Sequence, residues 1–169
     1  FYKKEPPIIP LVKDAFTKKK NVVIITGEGS IGKTASLQML ALHLLKENEF
    51  FYYQHLKRLN FLSEDLTFNH AQYDFCLLDA FDEIYAEERA SEVKKYIESW
   101  QKNGKGLLIV TSRFNPFTKA EMERLGDLVV ANINRIDKKV IEDVLLEKKI
   151  ECNPQLLDLF GNSMMFSLF

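Results

Sequence analysis

Residues 27–34 read GEGSIGKT, with the spacing G-x-x-x-x-G-K-[ST], and directly before them stands the run Asn21-Val-Val-Ile-Ile-Thr26. A short apolar run ahead of a glycine-rich turn predicts a buried strand that feeds a phosphate-binding loop and then a helix. The loop constrains the fold because it works only when strand and helix hold several backbone N–H groups around one point. Gly27, Gly29 and Gly32 are expected to supply left-handed turns. The stretch Gly27, Glu28, Gly29, Ser30, Ile31, Gly32, Lys33, Thr34 and Ala35 is then expected to cradle phosphates. The helix opening near Gly32 adds unpaired donors and the positive end of its dipole. Lys33 is expected at the β- and γ-phosphates and Thr34 at Mg²⁺, so the implied ligand is a nucleoside triphosphate.

Strand-like and helix-like segments alternate beyond the loop, the pattern of a parallel sheet covered by helices on both faces. Leu37, Leu40, Ala41, Leu44 and Leu45 recur at helical spacing, with Met39 and Leu42 broadening the apolar face. Further strands are expected near Phe50 to Leu56, over Asp74 to Asp79, over Gly106 to Val110 and from Leu128 to Ile133. A helix from Tyr85 to Lys102 carries Val93, Tyr96, Ile97 and Trp100 as its buried stripe. From Ile136 onward the pattern turns helical: Asp137 caps a segment bearing Val140, Ile141, Val144 and Leu145, and Asn153-Pro154 starts another that Gly161 ends. The expected fold is α/β, a P-loop NTPase three-layer sandwich with a parallel five-stranded sheet. Residues 1–135 form the nucleotide-binding domain, and 136–169 the truncated start of a small helical subdomain.

A phosphate loop alone does not say what chemistry follows, so the other strand ends matter. Leu77-Leu78-Asp79 closes an apolar strand with a carboxylate, which is costly to bury unless it is paired or near a cation. Asp79 is therefore expected at Mg²⁺ or its bound water, the Walker B arrangement. Asp82 and Glu83 follow. One of them is expected to orient or deprotonate an attacking water, the alternative being that both cap the next helix. The next strand ends in Thr111-Ser112-Arg113, where Arg113 is either a γ-phosphate sensor or a surface residue.

Composition narrows the function classes. At 169 residues and 46% hydrophobic content the chain can bury a sizeable core. A net charge of −1 gives no footprint for nucleic acid, and Lys18-Lys19-Lys20 reads as a solvated helix end. Cys76 and Cys152 are too few for a disulfide framework, and His43, His55 and His70 lack ligand spacing. No stretch approaches the ~20 apolar residues of a membrane span, and the N-terminus lacks the order of a signal peptide. A soluble cytoplasmic chain is expected. The start at Phe1 and the apolar end Met164-Met-Phe-Ser-Leu-Phe169 read as a piece of a longer polypeptide.

Together GEGSIGKT, LLDAFDE at Leu77 to Glu83 and LIVTSR at Leu108 to Arg113 resemble the NACHT branch of the STAND NTPases, signal-transducing relatives of AAA+ proteins. The distinguishing mark is a small residue, Ala80, directly after Asp79, followed by an acidic pair. Most AAA+ enzymes place a glutamate there. Phe51-Tyr-Tyr53 leading into Leu56-Lys-Arg-Leu59 is similar to the corresponding NACHT segment. The resemblance implies that Lys33 and Thr34 contact phosphate and Mg²⁺, Asp79 the metal, Asp82 or Glu83 the water, and that Arg113 is the sensor. It also implies an ATP/ADP switch of a signalling or defence protein that hydrolyses slowly and assembles into a homo-oligomer when ATP-bound, with fused effector and sensor domains outside these residues. The alternative is an AAA+ motor or loader acting on DNA or protein. Gly161-Asn-Ser-Met164 departs from the family by carrying serine where proline is expected, which turns attention for the base pocket to Pro6-Pro-Ile-Ile9.

Overall fold

The computed structural model describes residues 8–58, 73–84, 87–126, 128–135, 137–147 and 149. Its strands are β1 (Val22–Thr26), β2 (Phe51–His55), β3 (Phe75–Asp79), β4 (Leu107–Ser112) and β5 (Val129–Asn132). All pairings are parallel, in the order β2-β3-β4-β1-β5. Strands covered on both faces must be apolar throughout, and VVII, FCLL and LLIV at the centre of the sheet meet that demand. The edge strand β2, FYYQH, is half-buried at every position.

Side chains alternate across the sheet, so each strand feeds two cores. Val23, Ile25, Leu77 and Ile109 face one side, where helices α1 (Ile8–Thr17) and α2 (Lys33–Lys46) cover them. Val22, Ile24, Leu78 and Val110 face the other, under α3 (Glu87–Asn103) and α4 (Lys119–Leu125). A last helix, α5 (Lys138–Glu147), follows β5. The fold is the expected α/β sandwich, with its strand C-termini gathered at one edge.

The stripe on α3 forms as its spacing requires: Val93, Ile97 and Trp100 are buried and Tyr96 packs against them, its ring 6.0 Å from that of Trp100. Trp100 is anchored further by its Nε1, which donates to the Gly106 carbonyl at 3.1 Å. Asp137 caps α5 through a 2.8 Å bond from the Lys139 N–H, and Ile141 and Leu145 are buried as the spacing predicts, whereas Val140 is exposed.

Three differences from the sequence reading have physical causes. On α2 only Leu37, Leu40 and Leu44 are buried, at the i, i+3, i+7 positions that line one side of a helix. Met39, Leu42 and Leu45 lie off that line and are 48%, 58% and 59% exposed. Helix α4 was not expected, because KAEMERL buries only Leu125; its signal was the capping box in which Thr118 and Glu121 bond each other's backbone N–H. Ile8 and Ile9 open α1 and are buried in the core beside Leu37. The expectations on Pro6-Pro7, on Asn153-Pro154 and on Gly161 to Met164 lie outside the described residues.

Trp100 carries the largest fully buried side chain. Trp100→Ala should cost about 3–5 kcal/mol in urea unfolding, by the usual scale for emptying an aromatic site.

Candidate nucleotide site

The loop between β1 and α2 departs from ordinary backbone at three points. Gly27 has φ 158°, and a Cβ there would lie 2.9 Å from the Ile133 carbonyl, so no larger residue fits. Gly32, at φ 99°, is the N-cap of α2 and leaves its first turn without a side-chain cap. The uncapped donors and the dipole make this end an anion site. The third left-handed residue is Ser30, at φ 59°, and not Gly29 as the glycine pattern suggested. Gly29 instead leaves room above the loop: a Cβ there would meet the Arg113 guanidinium carbon at 3.7 Å.

Lys33 turns back over this loop. Its Nζ donates to the carbonyls of Gly27 at 2.7 Å and Glu28 at 2.8 Å. Partial burial is the main cause lowering its pKa below the usual lysine value; Asp82 opposes this, Arg113 adds to it, and Asp79 opposes it more weakly. The ammonium is thus held over the loop by groups that a phosphate oxygen would outcompete in charge.

Asp79 ends β3 fully buried. Its Oδ1 accepts from Thr34 Oγ1 at 3.3 Å and, by a short bond, from Thr111 Oγ1, and its Oδ2 accepts from the Tyr53 hydroxyl at 3.2 Å. The Thr111 oxygen in turn accepts from the Ala80 N–H at 2.9 Å. A buried carboxylate is tolerable only when its oxygens are satisfied, and hydroxyls from α2, β2 and β4 do this. The adjacent Thr34 hydroxyl and Asp79 carboxylate oxygen match the hard donors of Mg²⁺, which keeps most of its waters and needs few protein ligands. Among the described residues there is no cluster of three or more acidic, His or Cys groups that would make a closed metal cage.

Beyond Asp79 the chain enters a single 3-10 turn, Phe81–Glu83, through Ala80 in the left-handed region at φ 61°. The turn separates the two acids. Asp82, whose side chain is 6% exposed, grips Arg113 twice: Oδ1 accepts from the Arg113 backbone N–H at 2.9 Å, and Oδ2 from its Nε at 2.9 Å. Glu83 pairs with Lys57 at 3.3 Å. These residues and Phe114 line a cavity of about 340 Å³. A second cavity, about 310 Å³, lies on the β5 side of the loop between Gly27, Glu28, Arg113, Asn132, Asn134 and Arg135. There Glu28 is paired with Arg135 at 3.0 Å.

The structure therefore brings Lys33, Thr34, Asp79, Asp82, Glu83 and Arg113 to one sheet edge, as the sequence predicts. It adds Tyr53, Thr111, Lys57 and Arg135, which sequence reasoning did not assign. Thr111 was legible as a polar residue near the end of a buried strand. Nothing local marks the other three.

The family model described as Novel STAND NTPase 3 matches residues 11–150. The chain belongs to this STAND family. The NACHT resemblance pointed to the same STAND class, and the domain is the nucleotide-binding domain of a STAND NTPase. No curated protein matches the sequence. In fold it is similar to AMPPCP-bound DnaA from Aquifex aeolicus, at 18% identity and TM-score 0.57 over 94% of this chain and 57% of that one. It is similar too to the replication initiator DnaA bound to AMPPCP and single-stranded DNA, at 17% identity and TM-score 0.62 over 95% of this chain and 57% of the other. Domain III of DnaA from Thermotoga maritima gives 16% identity and TM-score 0.53 over 95% of this chain and 78% of that one. The chain thus spans 57% of the length of the first two structures and shares their fold over nearly all of its own length.

The left-handed backbone at Ala80 gives a direct check. Ala80→Val should destabilise the domain by about 1–3 kcal/mol, because a branched side chain resists positive φ. Ala80→Gly should stay within about 1 kcal/mol, relief of strain offsetting the looser unfolded chain. Denaturant midpoints of the two variants distinguish them.

Proposed function

We propose that this STAND domain is an ATP/ADP switch that binds nucleotide with Mg²⁺ and hydrolyses ATP slowly. The observation that carries the reading is the double grip of Asp82 on Arg113, beside Gly29 of the phosphate loop. A γ-phosphate arriving there competes with Asp82 for the guanidinium, so occupancy by ATP or ADP becomes a choice between two arrangements of Arg113.

In this reading the loop amides from Gly27 to Ala35 hold the phosphates, and Lys33 leaves the Gly27 and Glu28 carbonyls to meet the β- and γ-oxygens. Thr34 and Asp79 hold Mg²⁺, which supplies neutralisation of phosphate charge when bound. Glu83 is the base: it lines the cavity, pairs with Lys57 among the described residues, and accepts the proton of the attacking water at its carboxylate. Asp82 is committed to Arg113, so it positions the sensor rather than taking the proton. Residues 1–135 act as the nucleotide domain and 136–169 as the start of the helical subdomain. In the longer protein, nucleotide exchange drives homo-oligomer formation in the cytoplasm and couples a sensor to an effector in signalling or defence.

A second reading, an AAA+ loader acting on DNA or protein, is favoured by the likeness in fold to a DnaA bound to single-stranded DNA. Ala80 in place of an acid directly after Asp79 and the net charge of −1 count against it.

Calorimetry with Mg-ATP and Mg-ADP, followed by phosphate release with and without DNA, tests the choice. Tight ADP binding with slow, DNA-indifferent release supports the switch, and DNA-stimulated turnover overturns it in favour of the loader. Lys33→Ala should abolish nucleotide binding, and unchanged ATP affinity in that variant refutes the site. Glu83→Gln should slow hydrolysis by about 100-fold while sparing affinity. Asp82→Asn should instead alter ATP against ADP preference, and equal turnover loss in both variants would remove the distinction drawn between the acids.

A further inference from the structure

Of the hydroxyls on Asp79, those of Thr34 and Thr111 come from the phosphate-loop helix and the neighbouring strand, and both donate to Oδ1. Oδ2 is held from β2, by the Tyr53 hydroxyl at 3.2 Å. The register explains the reach. Tyr53 pairs with Leu77 and His55 with Asp79, so Tyr53 stands diagonally behind Asp79 on the adjacent strand and on the same face of the sheet. A diagonal of ~7–8 Å between such positions is within reach of an aromatic side chain. The Tyr53 ring is packed against the core on the α1 and α2 side, which fixes where its oxygen can lie.

Rotation of the carboxylate about its last bond would exchange Oδ1 and Oδ2. With Oδ2 tied to β2, Oδ1 stays toward Thr34. If the Thr34 hydroxyl turns to a metal, Asp79 loses one donor, and Tyr53 and Thr111 then keep the carboxylate in place.

We propose that Tyr53 is a positioning residue for the metal: its hydroxyl aims Asp79 Oδ1 at the Thr34 side, where a nucleotide-bound Mg²⁺ is met. This rests on the Mg²⁺-nucleotide reading of the site given above. It makes the edge strand β2 part of the site twice over, since the turn that follows β2 carries Lys57, the partner of Glu83. Partners that orient a metal ligand typically change metal affinity by about 10–100-fold when removed.

The test is Tyr53→Phe, which keeps the packed ring and removes one oxygen, beside Tyr52→Phe, whose hydroxyl donates to Gln54 and not to Asp79. ADP binding is measured by calorimetry in EDTA and over a Mg²⁺ titration, and thermal midpoints are recorded. Tyr53→Phe should raise the Mg²⁺ concentration needed for half of the Mg²⁺-dependent tightening by about tenfold, with ADP affinity in EDTA unchanged and the thermal midpoint lowered, because buried Asp79 Oδ2 loses its donor. Tyr52→Phe should match the wild type throughout. An unaltered Mg²⁺ requirement in Tyr53→Phe overturns the proposal alone, and so does an equal loss of ADP affinity in EDTA. A wild type whose ADP binding ignores Mg²⁺ overturns the metal reading beneath it.

Discussion

Everything at this sheet edge depends on satisfying one fully buried carboxylate, Asp79. Removing a carboxylate from water is costly, and no Lys or Arg side chain bonds it directly among the described residues. Its oxygens are satisfied by hydroxyls from α2, β2 and β4. Those elements are far apart in sequence and meet only because the sheet orders its strands β2-β3-β4-β1-β5. β4 must lie between β1 and β3 for Thr111 to reach both Asp79 and the Ala80 N–H. The strand order is therefore what lets the buried carboxylate be satisfied.

Around this hydroxyl-lined floor runs a rim of ion pairs with a different character. Lys57–Glu83, Arg113–Asp82 and Arg135–Glu28 all have at least one substantially exposed member. Exposed pairs of this kind contribute little to stability and exchange partners readily. That is an advantage where a polyanion must enter: the floor holds its geometry, while the rim can trade carboxylates for phosphate oxygens. Asp82 is the exception within the rim. Its side chain is nearly buried and holds both the backbone and the side chain of Arg113, so Arg113 is set more firmly than its neighbours.

Much of this was readable in the sequence. The strands announce themselves as apolar runs, α3 as a stripe, and the loop by its glycines and Lys33-Thr34. What was not readable depends on long-range geometry. Ser30 takes a left-handed turn that Gly29 was expected to make, because the loop's path is set by where β1 and α2 hold its ends and not by residue preference alone. Met39, Leu42 and Leu45 looked like core because hydropathy does not say which face of α2 meets the sheet. Tyr53 looked like one more aromatic of a strand, and its bond to Asp79 exists only once β2 and β3 are in register.

Ala80 shows how a residue choice follows from backbone geometry. Directly after Asp79 the chain must leave the sheet and begin the Phe81–Glu83 turn, and it does so at φ 61° with Ala80 itself 7% exposed. A positive φ in a buried position favours the smallest side chains, since a larger one has neither the backbone freedom nor the space. Two acids follow down the turn, Asp82 and Glu83, and each has a basic partner. The small residue at this position is a consequence of one tight exit from β3.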